Sequence, residues 1–118
     1  MQSVTSNAVA GKLNDYSYNS YENGNDKLFV WKYGRVVICE GFMMKTSSTS
    51  SPQTLTVSLP KGYRPKNKTV RAVLMNNVTD VPCGQVNIFE GGTVNLYNAN
   101  GSAFSANVSY VFSLAFIA

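Results

Sequence analysis

Histidine is absent from all 118 residues. The commonest general base and the commonest metal ligand are therefore both missing. Cysteine is nearly absent as well. Cys39 and Cys83 lack CxxC spacing and are too few for a zinc site. They admit a disulfide or two buried free thiols, and the apolar strand around Cys39 favours the thiols. Charge is scarce at 14%, with six carboxylates in all. A glycosidase needs two of these held roughly 5–10 Å apart across a sugar. Glu40 follows an apolar strand and Glu90 lies in a turn, so nothing in the sequence pairs them. The other four, Asp15, Glu22, Asp26 and Asp80, read as solvated or turn-capping groups. The many serines have no histidine to activate them. Gly91-Gly92 is not followed by the Lys-Ser/Thr of a phosphate loop. The expectation is a protein that is not an enzyme and uses no cofactor and no metal. No apolar run approaches the roughly 20 residues that span a bilayer. The N-terminus has neither the charged start nor the apolar stretch of a secretory signal, so membrane insertion is not expected.

What the chain does have is asparagine, serine, threonine and tyrosine on a 44% hydrophobic frame. That length and composition suit one domain with a single core. Neutral hydrogen-bonding residues favour strands and turns over long helices. The helical candidate is Ser3 to Leu13, where Val4 with Ala8 and Val9 with Leu13 make an apolar stripe. About eleven residues cannot hold a helix alone in water. Residues 1–13 therefore read as the end of a longer helical stem, or as a helix steadied by identical neighbours. Residues 14–118 read as the β domain.

Residues 27–44 organise that domain. They read as two strands turned at Lys32-Tyr33, with Gly34 as a left-handed bulge. This register sets Phe29 opposite Val37 and Trp31 opposite Arg35. One face then carries Phe29, Trp31, Val37 and Cys39, and the other Leu28, Val30, Val36 and Ile38. Both faces are apolar, whereas a small antiparallel sheet usually has one wet face. Either the hairpin is central in a monomer, or a neighbouring subunit covers its second face. Residues 14–26 read as a polar connector dotted with tyrosine, and 45–52 as a loop. Gln53 to Leu59 alternates, with Leu55, Val57 and Leu59 inward. Thr69 to Met75 is a further strand. Gln85–Phe89 and Thr93–Tyr97 form a second hairpin around Glu90-Gly91-Gly92, with Asn87, Phe89, Asn95 and Tyr97 outward. Phe104 to Ala118 closes the chain with a bulky face opposite a face of small side chains. Seven or eight strands at short intervals predict an all-β antiparallel sandwich or jelly roll.

Three stretches carry a family resemblance. Ser3-Val-Thr-Ser-Asn-Ala-Val-Ala10 is similar to the short helical segment that precedes many bacteriophage tail-fibre tips. Trp31-Lys-Tyr-Gly-Arg-Val-Val37 resembles their early aromatic–turn hairpin. Leu59-Pro-Lys-Gly-Tyr-Arg-Pro65, with Gly84-Gln-Val-Asn-Ile88 and Gly92-Thr-Val-Asn-Leu96 after it, resembles their succession of LP-x-GYRP, G-x-V-x-I and G-x-V. The resemblance implies a homotrimeric β-sandwich at the tip of a virion's tail fibre. Such a tip attaches to upstream fibre or baseplate proteins and binds a bacterial surface polysaccharide. It implies no catalytic residues. The rival from another class is a trimeric structural or signalling jelly roll of the tumour-necrosis-factor or complement type. A polysaccharide-degrading enzyme is disfavoured by the scattered carboxylates.

Receptor residues do not transfer by position, so candidates come from the side chains themselves. Tyr63 and Tyr97 offer amphipathic rings on which sugars stack. Arg64, Asn98 and Asn100 offer hydrogen bonds. These residues lie in the loops Lys61–Lys68 and Tyr97–Ser102, both expected at the end far from the helix. Lys61, Arg64, Lys66, Lys68 and Arg71 supply half of the chain's cations, in keeping with an anionic polymer. The net charge is +4, but no nucleic-acid module is present, and no nucleic-acid partner is expected.

Overall fold

A computed structural model describes residues 16–118. The stem expected over residues 1–13 lies outside the described residues. The rest is all-β: β1 (Tyr16–Asn23), β2 (Asp26–Tyr33), β3 (Val36–Met44), β4 (Gln53–Thr54), β5 (Val70–Asn76), β6 (Val81–Ile88), β7 (Val94–Asn98) and β8 (Ser109–Ile117). They hydrogen-bond in the order β1-β2-β3-β8-β5-β6-β7-β4, and every pairing is antiparallel. The sheet is nearly divided in the middle. β8 pairs with β3 over nine positions, from Val36↔Ile117 to Met44↔Ser109, but with β5 only at Met75↔Val111 and Asn76↔Tyr110. The sheet curls at that narrow joint, so β1-β2-β3-β8 and β5-β6-β7-β4 back onto each other like the halves of a sandwich.

Alternation along the strands builds the core. Leu28 and Val30 of β2, Val37, Cys39 and Met43 of β3, and Tyr110, Phe112 and Phe116 of β8 are buried. Leu74, Val86, Ile88, Val94 and Leu96 meet them from the second half. Gly41 stands opposite Phe112, and a Cβ on Gly41 would run into the Phe112 ring. Only glycine lets that ring lie across β3. The long last strand is central, as its bulky face requires.

Four expectations change. The hairpin does not turn on Lys32-Tyr33. Tyr33 pairs with Val36, so the turn is the two residues Gly34-Arg35, with Gly34 at φ 59°. A glycine with positive φ in first position suits a tight hairpin turn. This register sets Trp31 opposite Ile38 and Phe29 opposite Glu40. Moving the register by an odd number of residues swaps every side chain of one strand to the other face. Val37 and Cys39 therefore join Leu28 and Val30 inside, while Phe29, Trp31, Val36 and Ile38 share the outer face. Second, the connector at 14–26 contains β1, an eight-residue edge strand. Third, Leu55, Val57 and Leu59 are buried as expected, yet only Gln53–Thr54 forms a strand. Leu55 N and Leu59 N still donate to Val94 O and Gly92 O at 2.9 Å, while the Thr56 N–H, pointing away from β7, donates to the Asp26 carboxylate at 2.9 Å. Fourth, Asp26 is not solvated. It is 2% exposed and accepts from Thr56 Oγ1 at 2.9 Å and from Lys45 Nζ at 3.2 and 3.3 Å. It ties the first hairpin to the loop that crosses between the halves.

Phe112→Ala should cost about 3–5 kcal/mol in urea unfolding, as loss of a buried aromatic does. Gly41→Ala should cost about 1–3 kcal/mol through overpacking. A Phe112→Leu background should recover part of that loss, and full additivity of the two changes would sever the contact. Cys39 and Cys83 are free thiols. Burial, with the neighbouring Glu40 carboxylate second, pushes Cys39 from the ordinary value of 9.0 up to about 12. The folded state thus holds the proton that the unfolded state releases. Its contribution is complete below pH 9 and is lost as pH rises towards 12. Cys39→Ala should flatten the alkaline fall in stability over that window. A thiol reagent at pH 8 should leave Cys39 unmodified until the chain is unfolded.

Candidate functional site

β1, β2, β3 and β8 expose their outer side chains in cross-strand rows. Tyr16, Tyr33, Val36 and Ile117 stand in one row, and Tyr18, Trp31, Ile38 and Ala115 in the next. Ser20, Phe29, Glu40 and Ser113 form the third. The Tyr16 and Tyr33 rings lie 4.9 Å apart between centroids, and the Tyr18 and Trp31 rings 5.1 Å. Tyr16, Tyr18, Tyr33, Val36 and Ile117 are 41–50% exposed. These exposed aromatic and aliphatic side chains are neighbours across the strands rather than scattered singly. Sequence reasoning found that the hairpin was dry on both sides but assigned the wrong residues to each side.

Where this face meets β5 there is a groove of about 680 Å³. Phe29, Phe42, Met75 and Phe112 line it, with Glu40, Arg71 and Ser113 at its rim. The groove exists because β5 leaves β8 beyond Met75. It contains one carboxylate, so the pair of acids that glycoside hydrolysis uses is not assembled there. Among the described residues, no three Cys, Asp or Glu side chains gather to hold a metal ion. Ser58-Leu59-Pro60-Lys61 has a Ser-x-x-Lys spacing that sequence reasoning overlooked. It lies in an extended stretch, with Ser58 and Lys61 both exposed.

The five residues proposed from sequence do not come together. The chain enters the described fold at Tyr16, so the end of the sandwich that carries Tyr16, the Gly34-Arg35 turn and Ile117 is proximal. The Lys61–Lys68 loop sits there: Lys66 N donates to Ile117 O at 3.1 Å, and Lys32 Nζ to Gly62 O at 2.6 Å. Tyr63 OH bonds Ser17 Oγ and Asn19 Nδ2, each at 2.8 Å, and Lys32 Nζ lies 5.4 Å from its ring centre. Arg64 Nε donates to Leu59 O at 2.9 Å, packed against Gly92, where a Cβ would run into both groups. Asn98 and Asn100 lie at the far end of β7. Six residues of extended chain separate Gly92 from Asn98, roughly 20 Å. The expectation that both loops share the distal end is thus corrected: the Tyr97–Ser102 loop is distal and the Lys61–Lys68 loop is proximal. Asn98 caps the short turn Ala99–Gly101 through its Oδ1, and its Nδ2 donates to Ala103 O at 3.0 Å. Asn100 is exposed at φ 58°. Tyr97 stands on the sheet face opposite Gln85, and Asn98 ends the same strand opposite Gly84.

The outer face of β5-β6-β7-β4 differs from that of the first half. Arg71, Asn87, Asn95 and Thr54 stand in one row across the four strands. Val73, Gln85 and Tyr97 stand in the next. Thr54 Oγ1 donates to Asn95 Oδ1 at 2.9 Å, and Gln85 Nε2 to Asn87 Oδ1 at 2.7 Å. Compared with protein-family models and with curated proteins, the chain matches none.

Proposed function

We propose that this chain is the non-enzymatic receptor-binding tip of a bacteriophage tail fibre, a homotrimer that holds a bacterial surface saccharide. The observation that carries the assembly is the outer face of β1-β2-β3-β8. Trp31, Ile38, Phe42 and Val111 on it are only half-buried in the protomer. Removing apolar surface from water yields roughly 25 cal/mol per Å², so a face this apolar favours a covering surface. Closed cyclic symmetry covers it in every copy and leaves no open end from which a filament grows. The order of the hairpin and GYRP motifs, similar to fibre tips, supports three copies over two. With that face turned to the axis, residues 1–13 lead to the stem, and upstream fibre or baseplate proteins hold the tip on the virion.

A fibre tip needs no chemistry, only affinity. The lack of histidine and the dispersed carboxylates support a binding role. The abundance of asparagine, serine and threonine matches a polyhydroxylated ligand. An exposed ionic contact contributes only about 0–1 kcal/mol, so each site is weak. Linked sites on one trimer, and several trimers on one particle, raise avidity by roughly 10²–10⁴.

Light scattering at micromolar concentration should give three protomer masses. Val36→Lys with Ile117→Lys alters two exposed side chains and should reduce the mass to one protomer. A monomeric parent protein would remove the trimer. On a printed array of bacterial capsular, O-antigen and teichoic polysaccharides, the parent should bind a restricted set. Binding to none of them would remove the saccharide reading.

A further inference from the structure

We infer that the saccharide is held on the outer face of β5-β6-β7-β4, on the flank of the domain rather than on its distal loops. This rests on the proposed saccharide function and assigns its site. The first observation is that asparagine occupies mid-sheet positions. Asparagine is depleted in strands, because its amide competes for the backbone and packs poorly on a pleated surface. Asn87 and Asn95 nevertheless stand directly opposite each other on β6 and β7, with Gln85 opposite Tyr97 beside them. Threonine or valine would suit these outward positions better. The local bonds these amides make, to Thr54 and to Gln85, leave part of their donor and acceptor capacity unused.

The second observation is that these amides are already oriented. Asn95 Oδ1 is held by Thr54, and Asn87 Oδ1 by Gln85 Nε2. Asn95 Nδ2 reaches Tyr97 OH only at 3.5 Å. The Asn87 amide N–H groups and Gln85 Oε1 have no hydrogen-bond partner among the described residues. The face therefore presents donors and acceptors side by side. A sugar hydroxyl both donates and accepts, so a row of hydroxyls matches this alternation. Side chains fixed beforehand lose less entropy when a ligand arrives. Tyr97 adds a half-exposed ring on the same face, and sugar C–H faces pack on such rings. Arg71 ends the row and offers a planar donor fork to a carboxylate or phosphate on the ligand. Four strands at about 4.8 Å spacing make the row about 14 Å long, enough for an extended polymer lying across the strands.

The outer faces of the two halves differ in character and adjoin at the groove, where Arg71 of the amide row also stands. One is aromatic and aliphatic and suits another protein surface. The other is amide-rich and suits hydroxyls. With the aromatic face turned to the threefold axis, the amide-rich face stays uncovered in each protomer. Three copies then meet one polysaccharide layer side-on.

The test uses the full chain and the same polysaccharide array. Asn87→Thr with Asn95→Val removes both amides and introduces better strand formers, so its melting temperature and oligomer mass should be unchanged or improved. Its binding to the polysaccharides that the parent binds should fall at least tenfold. Gln85→Lys, at an exposed position that needs no repacking, should lower binding several-fold. Asn100→Gly keeps the left-handed turn and should bind as the parent does. If the parent binds and the double variant binds equally well, the flank site is overturned while the saccharide function stands. If Asn100→Gly loses binding and the double variant does not, the distal loop is the site. If the parent binds no polysaccharide on the array, the function and the site fall together.

Discussion

Phe112 lying across Gly41 sets the geometry on which the other contacts depend. β3 and β8 pair over nine positions, the longest pairing among the described strands, and the contact lies near its middle. A ring at that point forces Phe112 inward, and period-two alternation carries the choice along both strands. Val37, Cys39, Met43, Tyr110 and Phe116 then have one direction available, and Ile38, Phe42, Val111 and Ala115 the other. The inward set finds a partner in the second half of the sandwich. The outward set is apolar too, and within the protomer it is only partly covered. The register that makes the core thus also makes the exposed face. A slip by one residue would exchange the two sets without making either one polar. That is why this hairpin depends so heavily on its turn, since the hydrophobic pattern specifies register weakly when both faces are apolar.

The sequence carried the strands better than their pairing. Val86, Ile88, Val94 and Leu96 alternate with polar residues, and that contrast placed them inside without ambiguity. Leu55, Val57 and Leu59 did the same for burial. Beyond Thr54 the contact with β7 continues only through single hydrogen bonds from Leu55 and Leu59, and the outward Thr56 N–H meets the Asp26 carboxylate, thirty residues away. No local pattern announces such a partner. The Lys32-to-Val36 turn had two solutions that differ by a shift in register. Both put glycine at positive φ, so composition could not separate them. β1 was missed because Tyr, Ser and Asn alternate there without a dry face, as an edge strand over a partly exposed sheet allows. The candidate loops failed to converge for a simpler reason. Lys61–Lys68 and Tyr97–Ser102 are both polar, but β7 separates them along the length of the sandwich. The amide ladder was half visible: Asn87 and Asn95 read as outward, but their alignment with Arg71 and Thr54 belongs to the sheet order.

Edge protection bears on the proposed trimer. The sheet ends on β1 at one side and on β4 at the other. β4 is two residues long, too short to template another strand. β1 is eight residues long and unprotected by length. Its outer side chains are Tyr16, Tyr18, Ser20 and Glu22, so hydrophobic character falls away from the proximal to the distal end. On the opposite side Ser17 and Asn19 bond to Tyr63, which stands beside the proximal half of the strand. Edge-to-edge pairing through β1 would create an open series of sheets, the arrangement that natural β proteins guard against. In the proposed trimer, face-to-face packing would cover the tyrosines, Trp31 and Ile38 in one closed step. It buries apolar surface that is already dry on its inner side and leaves every strand's hydrogen bonds as they are. Of the two ways for this sheet to associate, only face-to-face packing draws on the side chains that the protomer leaves exposed.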